Sequence, residues 1–138
     1  IGADGFYLQS GAYIASESSV SFEASWGGAK GFFGSGSLVL LRVTGSGTVL
    51  ASSYGAIEER VLASGERYYV DTGHIIGFDA SLSFQVQKIG TWKSTILGGE
   101  GLVCQLTGPG RVLIQTRSDE ALVQWMMSRL PRPSNNNS

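Results

Sequence analysis

Apolar and polar residues alternate along this chain in short runs, and the runs come in pairs around glycine. In Val20-Ser21-Phe22-Glu23-Ala24 the apolar side chains stand at 20, 22 and 24, and Leu82, Phe84 and Val86 repeat the spacing. A period of two puts successive side chains on opposite faces of an extended strand, one buried and one wet, as in antiparallel sheets. The same pattern predicts strands over Phe6–Gln9, Tyr13–Ala15, Leu38–Val43, Thr48–Ser52, Ile57–Leu62, Arg67–Asp71, Ile75–Phe78, Leu102–Leu106 and Arg111–Thr116. Val20, Phe22, Leu82 and Phe84 are the predicted core of that set. Thr44-Gly45-Ser46-Gly47, Ala63-Ser64-Gly65-Glu66 and Thr107-Gly108-Pro109-Gly110 each separate two apolar runs and read as hairpin turns. One helix is predicted. Ser118 is its N-cap, Asp119 and Glu120 lie in its first turn, and Pro131 stops it. Its stripe of Leu122, Val123, Trp125, Met126 and Leu130 reads as packing residues.

The pattern is written twice. Tyr7-Leu8-Gln9-Ser10-Gly11-Ala12-Tyr13-Ile14 returns as Tyr69-Val70-Asp71-Thr72-Gly73-His74-Ile75-Ile76, an offset of 62 residues that also relates Phe22 to Phe84. Thr44-Gly45-Ser46-Gly47-Thr48-Val49-Leu50 returns as Thr107-Gly108-Pro109-Gly110-Arg111-Val112-Leu113 at an offset of 63, one inserted residue later. This period is longer than most solenoid units and fits a duplicated β-module whose copies pack on each other. The implied fold is all-β: a duplicated antiparallel sandwich or double-stranded β-helix with one C-terminal helix. The duplicated domain spans residues 1–117, with repeats over about 6–53 and 68–117 joined by the strand 57–62. The helix follows over 118–130, and 131–138 is a polar tail.

Composition narrows the function more than it names one. With 42% hydrophobic and 15% charged residues, 138 residues suffice for one well-cored domain. Ten basic and eleven acidic residues nearly cancel, and the pI near 5.8 gives no electrostatic footprint for DNA. No run reaches the 18 apolar residues of a membrane span. The chain begins without Met, so it reads as processed or as a fragment from which a targeting segment has been removed.

The duplication keeps apolar alternation and glycine turns but no reactive side chains. That favours a structural or binding protein over an enzyme. Cys104 lies mid-strand and reads as a small core hydrophobe. His74 is the only histidine, and its counterpart in the first copy is Ala12, so a multi-imidazole metal site of the cupin kind has no ligands. Asp71, His74 and Asp79 are close in sequence but fall on different strand faces, a weak acid–base arrangement. No catalytic, metal or cofactor residue is assigned. Gly27–Gly36 is glycine-rich yet lacks the ending of a P-loop. Its Phe32-Phe33 either folds back on the core or inserts into a partner. Trp92 occupies the matching loop of the second copy, and Lys30 and Lys93 flank the two loops. Phe32, Phe33, Lys30, Trp92 and Lys93 are the candidate contact residues. Aromatics beside lysines are also what single-stranded RNA would require, but three lysines make a thin case.

Several segments together resemble the AIM24 family. They are Ser53-Tyr54-Gly55-Ala56-Ile57, Gly65-Glu66, Val70-Asp71-Thr72-Gly73-His74, Gly98-Gly99-Glu100-Gly101-Leu102-Val103 and Thr107-Gly108-Pro109-Gly110-Arg111-Val112-Leu113-Ile114-Gln115-Thr116-Arg117. The resemblance covers about Phe6 to Arg117. It implies a TRAP-like β-fold, related in shape to the tryptophan-sensing RNA-binding attenuation protein, whose tryptophan and RNA motifs have no match here. It implies bacterial cytoplasmic proteins, or fungal mitochondrial ones linked to inner-membrane organisation, and no established catalytic residues. Family domains usually carry a further N-terminal β-module, and residues 1 to 5 cannot supply a counterpart of the strand 57–62. The expected role is therefore a non-enzymatic oligomeric scaffold. The alternative on the same fold is a regulator binding a small ligand or RNA. The expected partner is a second or third copy of the chain, joined through an open sheet edge near Phe6–Gln9, with an unidentified protein as the other candidate.

Overall fold

Eleven strands and one helix are seen in the computed structural model, which describes residues 4–26, 38–88 and 102–130. The strands are β1 (Phe6–Gln9), β2 (Tyr13–Ser16), β3 (Val20–Trp26), β4 (Val39–Gly45), β5 (Val49–Ala51), β6 (Ile57–Leu62), β7 (Arg67–Asp71), β8 (Ile75–Asp79), β9 (Ser83–Lys88), β10 (Leu102–Thr107) and β11 (Gly110–Gln115), and the helix is α1 (Asp119–Met127). Single 3-10 turns at Ser10–Ala12 and Thr72–His74 occupy the same place in the two repeats. Ser118 caps α1 as expected, its hydroxyl accepting from the Ala121 amide at 3.3 Å.

The pairing repeats as the sequence does. In the first copy β4 lies between β1 and β3, and β2 pairs with β5. In the second, β10 lies between β7 and β9, and β8 pairs with β11. Each copy is thus a three-stranded layer facing a ribbon. One antiparallel joint, β1 with β8, fuses the first copy's layer to the second copy's ribbon. The result is a six-stranded sheet in the order β3-β4-β1-β8-β11-β6, with β7-β10-β9 and β2-β5 as separate sheets.

Both faces of the long sheet are covered at its centre. Ile75 and Ile76 are neighbours on β8 and so point to opposite faces. Ile75 joins a core with Phe78, Val70, Leu82, Cys104 and Leu106, while Ile76 joins a core with Leu8, Val20 and Val43. Tyr7, Phe78 and Phe84 meet at ring-centroid distances of 5.2 to 5.4 Å where the modules join. Val20 and Leu82 are buried, as the alternation predicts. Phe22 and Phe84 are half-buried at the margins of the two cores, and Ala24 is exposed.

Two expectations need correction. The three glycine turns are not hairpins. Thr44–Gly47 carries the chain from β4 to β5, Ala63–Glu66 from β6 to β7, and Thr107–Gly110 from β10 to β11, and each pair of strands belongs to different sheets. They are corners of the sandwich. A sharp turn between two half-buried runs looks the same whether the second run pairs with the first or crosses above it. Gly45 shows the constraint: its φ is +96°, and a Cβ would run into the Ser19 carbonyl oxygen. The second correction concerns Phe6–Gln9. It is not an edge, because β1 is hydrogen-bonded on both sides, to β4 and to β8. The strand 57–62 (β6) pairs with β11, whose first-copy equivalent is β5, so among the described residues the position without a neighbour lies beside β5.

Candidate interaction surface

The groups that could carry chemistry are held in structural roles. Cys104 is fully buried, and burial pushes its thiol up to about 12. His74 is half-buried in the 3-10 turn, and its Nδ1 lies 2.8 Å from the Gln115 carbonyl oxygen. A carbonyl can only accept, so this nitrogen carries the proton. Asp71 turns back to accept from the Gly73 amide at 2.9 Å. Asp79 accepts from the Arg111 Nε at 3.1 Å and from the Arg111 amide at 2.9 Å, and this pairing raises the Arg111 pKa. The three residues that are close in sequence therefore serve three separate contacts.

Gln115 is a polar residue that the strand pattern did not single out. It is buried, its Oε1 accepts from the Tyr54 amide at 2.9 Å, and its Nε2 donates to the Gly73 carbonyl at 2.8 Å. With the His74 contact it ties the 3-10 turn, the 52–56 segment and the end of β11 together. Its signal in the sequence was faint: a glutamine in a strand, past a register shift between Leu113 and Ile114. Among the described residues no three His, Cys, Asp or Glu side chains gather as metal ligands, and no helix is long and apolar enough to cross a membrane. A shallow depression of about 300 Å³ on β9 and β10 is lined by Ser83, Phe84, Gln85, Gln105 and Thr107, which offer hydroxyl and amide groups and no charge.

What the surface offers is apolar area at strand edges. Tyr13 and Ile14 on β2, Leu50 on β5, Ile57 and Val61 on β6, and Tyr69 on β7 are all exposed. So is the whole predicted stripe of α1, from Leu122 to Leu130. That corrects the reading of these residues as packing within the domain. Periodicity reports an apolar face but not what covers it. The candidate contact residues Phe32, Phe33, Lys30, Trp92 and Lys93 lie outside the described residues.

A family model described as mitochondrial biogenesis AIM24 matches residues 1–117. An uncharacterized protein of Streptococcus pyogenes serotype M6 is 27% identical over 137 residues, covering 98% of this chain and 55% of that protein. A crystal structure of a Streptococcus pyogenes protein superimposes with a TM-score of 0.80 at 25% identity, covering 94% of this chain and 57% of the other. The chain thus spans little more than half the length of both.

Proposed function

The chain belongs to the AIM24 family, and from that premise we propose that it is a non-enzymatic interaction module, a scaffold that works by associating with other protein surfaces. The observation that carries this reading is the placement of its apolar residues. Ile14, Leu50, Val61 and Tyr69 are more than half exposed and sit on strands that end a sheet or a ribbon. An edge strand presents unpaired amides and carbonyls, and edges are usually shielded by charge, proline or cover. β6 follows that rule in part, with Glu58, Glu59 and Arg60 along it. β2 carries Tyr13-Ile14-Ala15-Ser16 and has no charged residue. An uncharged, apolar edge of this kind in a folded domain supports pairing as its use.

The test is photo-crosslinking in extract of the source cells, with p-benzoylphenylalanine in place of Tyr69 or Leu122 and, as a control, in place of the exposed Glu59. Adducts of discrete mass from the apolar positions and none from the control are expected. Equal, diffuse labelling from all three positions would overturn the reading.

A further inference from the structure

One cross-strand pair changes from charged to neutral between the two copies, and it changes where the second layer is hollowed. Leu82, Phe84, Cys104 and Leu106 point into the core, so Ser83, Gln85 and Gln87 on β9 and Gln105 and Thr107 on β10 point out. Ser83 stands directly opposite Thr107, and Gln85 directly opposite Gln105. In the first copy the corresponding pairs are Ser21 with Thr44 and Glu23 with Arg42. The repeat keeps the hydroxyl pair. The pair beside it has two opposite charges in the first copy and two neutral amides in the second.

Those amides are held in one orientation. Gln87 Nε2 donates to Gln85 Oε1 at 3.3 Å and to Gln105 Oε1 at 3.2 Å. An amide nitrogen carries two protons, so both are used, and both acceptor oxygens are turned toward Gln87. The Nε2 groups of Gln85 and Gln105 are left as donors with no partner among the described residues. Beside them stand the Ser83 and Thr107 hydroxyls, which donate or accept. These four residues, with Phe84, line the depression of about 300 Å³, a volume at the lower end of small-ligand sites. Directly opposed side chains lie about 5 Å apart at Cβ, and residues two apart on a strand about 7 Å apart. The four groups therefore mark a rectangle of about 5 by 7 Å, the scale of one six-membered sugar ring with its hydroxyls.

We propose that this face binds a neutral saccharide, with one pyranose unit seated over Ser83, Gln85, Gln105 and Thr107. The lining offers amide protons and hydroxyls but no charge, so an ion seated there would lose water without gaining a counter-charge. An apolar ligand would strand the amide donors. A polyol meets both demands: its oxygens accept from the two amides, and its hydroxyls donate to the Ser83 and Thr107 oxygens. Arg67, across from Thr107 on β7, is the nearest charge in that row, which makes an acidic sugar the sharpest competitor. The site lies on the outward face of β9 and β10 and not on the β7 edge that carries Tyr69, so it is separate from the surfaces assigned above to protein contact. The depression is shallow and has no aromatic platform, because the Phe84 ring turns inward onto Tyr7 and Phe78. Affinity is accordingly low, with a Kd of about 1–10 mM.

The experiment is a titration of the 15N-labelled full chain with cellobiose, maltose, lactose and glucuronate, each to 50 mM, followed through its backbone amide and side-chain NH2 resonances. At least one neutral disaccharide is expected to shift the NH2 signals of Gln85 and Gln105 and the backbone amides of 83–85 and 105–107, and glucuronate is expected to bind more weakly. Gln105→Ala is expected to weaken binding roughly tenfold. Gln85→Glu combined with Gln105→Arg, which writes the first copy's pair into the second, is expected to abolish it. Both positions face outward, and far-UV circular dichroism establishes that the variants are folded. Ser21→Ala, at the equivalent place on the first copy, is expected to leave binding unchanged. No shift with any disaccharide at 50 mM, shifts centred elsewhere, preference for glucuronate, or full affinity in the double variant would each overturn the proposal.

Discussion

Gly77→Ala tests whether the β1–β8 joint is what makes two modules into one domain. Gly77 sits in β8 opposite Leu8. Its φ is not in the left-handed region, so the backbone accepts alanine and only space is at issue. An added Cβ would meet the Phe6 ring and the Tyr7 carbonyl oxygen, the latter at 2.5 Å. The ring is half-buried and can turn. The carbonyl belongs to β1, which is held by ladders on both sides, so relief requires the two strands to part. Overpacking a sound interior costs about 1–3 kcal/mol, and backbone as the obstacle places this change near 2–3 kcal/mol. At about 4 °C per kcal/mol for a chain of this length, the melting temperature falls by roughly 8–12 °C.

Urea denaturation followed by far-UV circular dichroism measures the loss. The midpoint should fall with an unchanged slope if the joint only weakens. A reduced slope with a second transition would mean that the modules have begun to unfold separately. A loss under about 0.5 kcal/mol would refute the reasoning, because it would mean that the strands at this joint yield without cost. Ala15→Gly is the paired control on stability: with no described neighbour on that edge, it should cost no more than the ordinary glycine penalty of about 0.5–1 kcal/mol.

Four further outcomes are expected. Gln115→Leu strands the Tyr54 amide and the Gly73 carbonyl, and should cost about 2–3 kcal/mol in chemical denaturation. Phe84→Ala removes a half-buried ring that packs on Tyr7 and Phe78, and should cost about 2–3 kcal/mol, less than a fully buried phenylalanine. Ser118→Ala removes the cap of α1, and should speed amide exchange in the first turns of the helix while leaving the sheets unchanged. Cys104 has a folded-state thiol raised from 9.0 to about 12, so above pH 9 the unfolded chain holds fewer protons than the folded one. Stability should be unaffected by this group below pH 9 and fall between pH 9 and 12, by up to about 1.4 kcal/mol per pH unit, and Cys104→Ala should remove that part of the slope.

Strands were legible because alternation is a local property. The runs around Val20 and Leu82 announce a half-buried strand whatever lies above them, and their ends agree with the structure to within a residue or two. The corners were not legible as corners. At Thr107–Gly110, for example, the sequence contains two apolar runs and a glycine turn, and the difference between a hairpin and a crossing lies in which distant strands complete each ladder. Gln115 was hidden for a related reason. Its partners, Tyr54 and Gly73, are 61 and 42 residues away. The stripe of α1 was read correctly as apolar and wrongly as covered, since a moment along a helix is silent about the neighbour.

The repeat supplied what local pattern could not, although not where it was first applied. Counting strands at the start of the first copy suggested that β1 was an edge. The argument fails because order along the chain is not order across the sheet. β6 precedes β7 in sequence but pairs with β11, five strands later. Carrying the pairing across the repeat, rather than the sequence, moves the open position from β1 to β2 and β5. There Tyr13, Ile14 and Leu50 stand exposed, although Ile75, Ile76 and Leu113 at the equivalent positions are not. A side chain retained as apolar in both copies but covered in only one marks a contact that the described residues do not complete. Exposure falls from 59% at Ile14 to 1% at Ile76 with the chemistry of the residue held constant, isoleucine in both places. Hydrophobic transfer rewards removal of such area from water, at about 25 cal/mol per Å². The exposed copy therefore carries a free-energy cost in water that the covered copy does not.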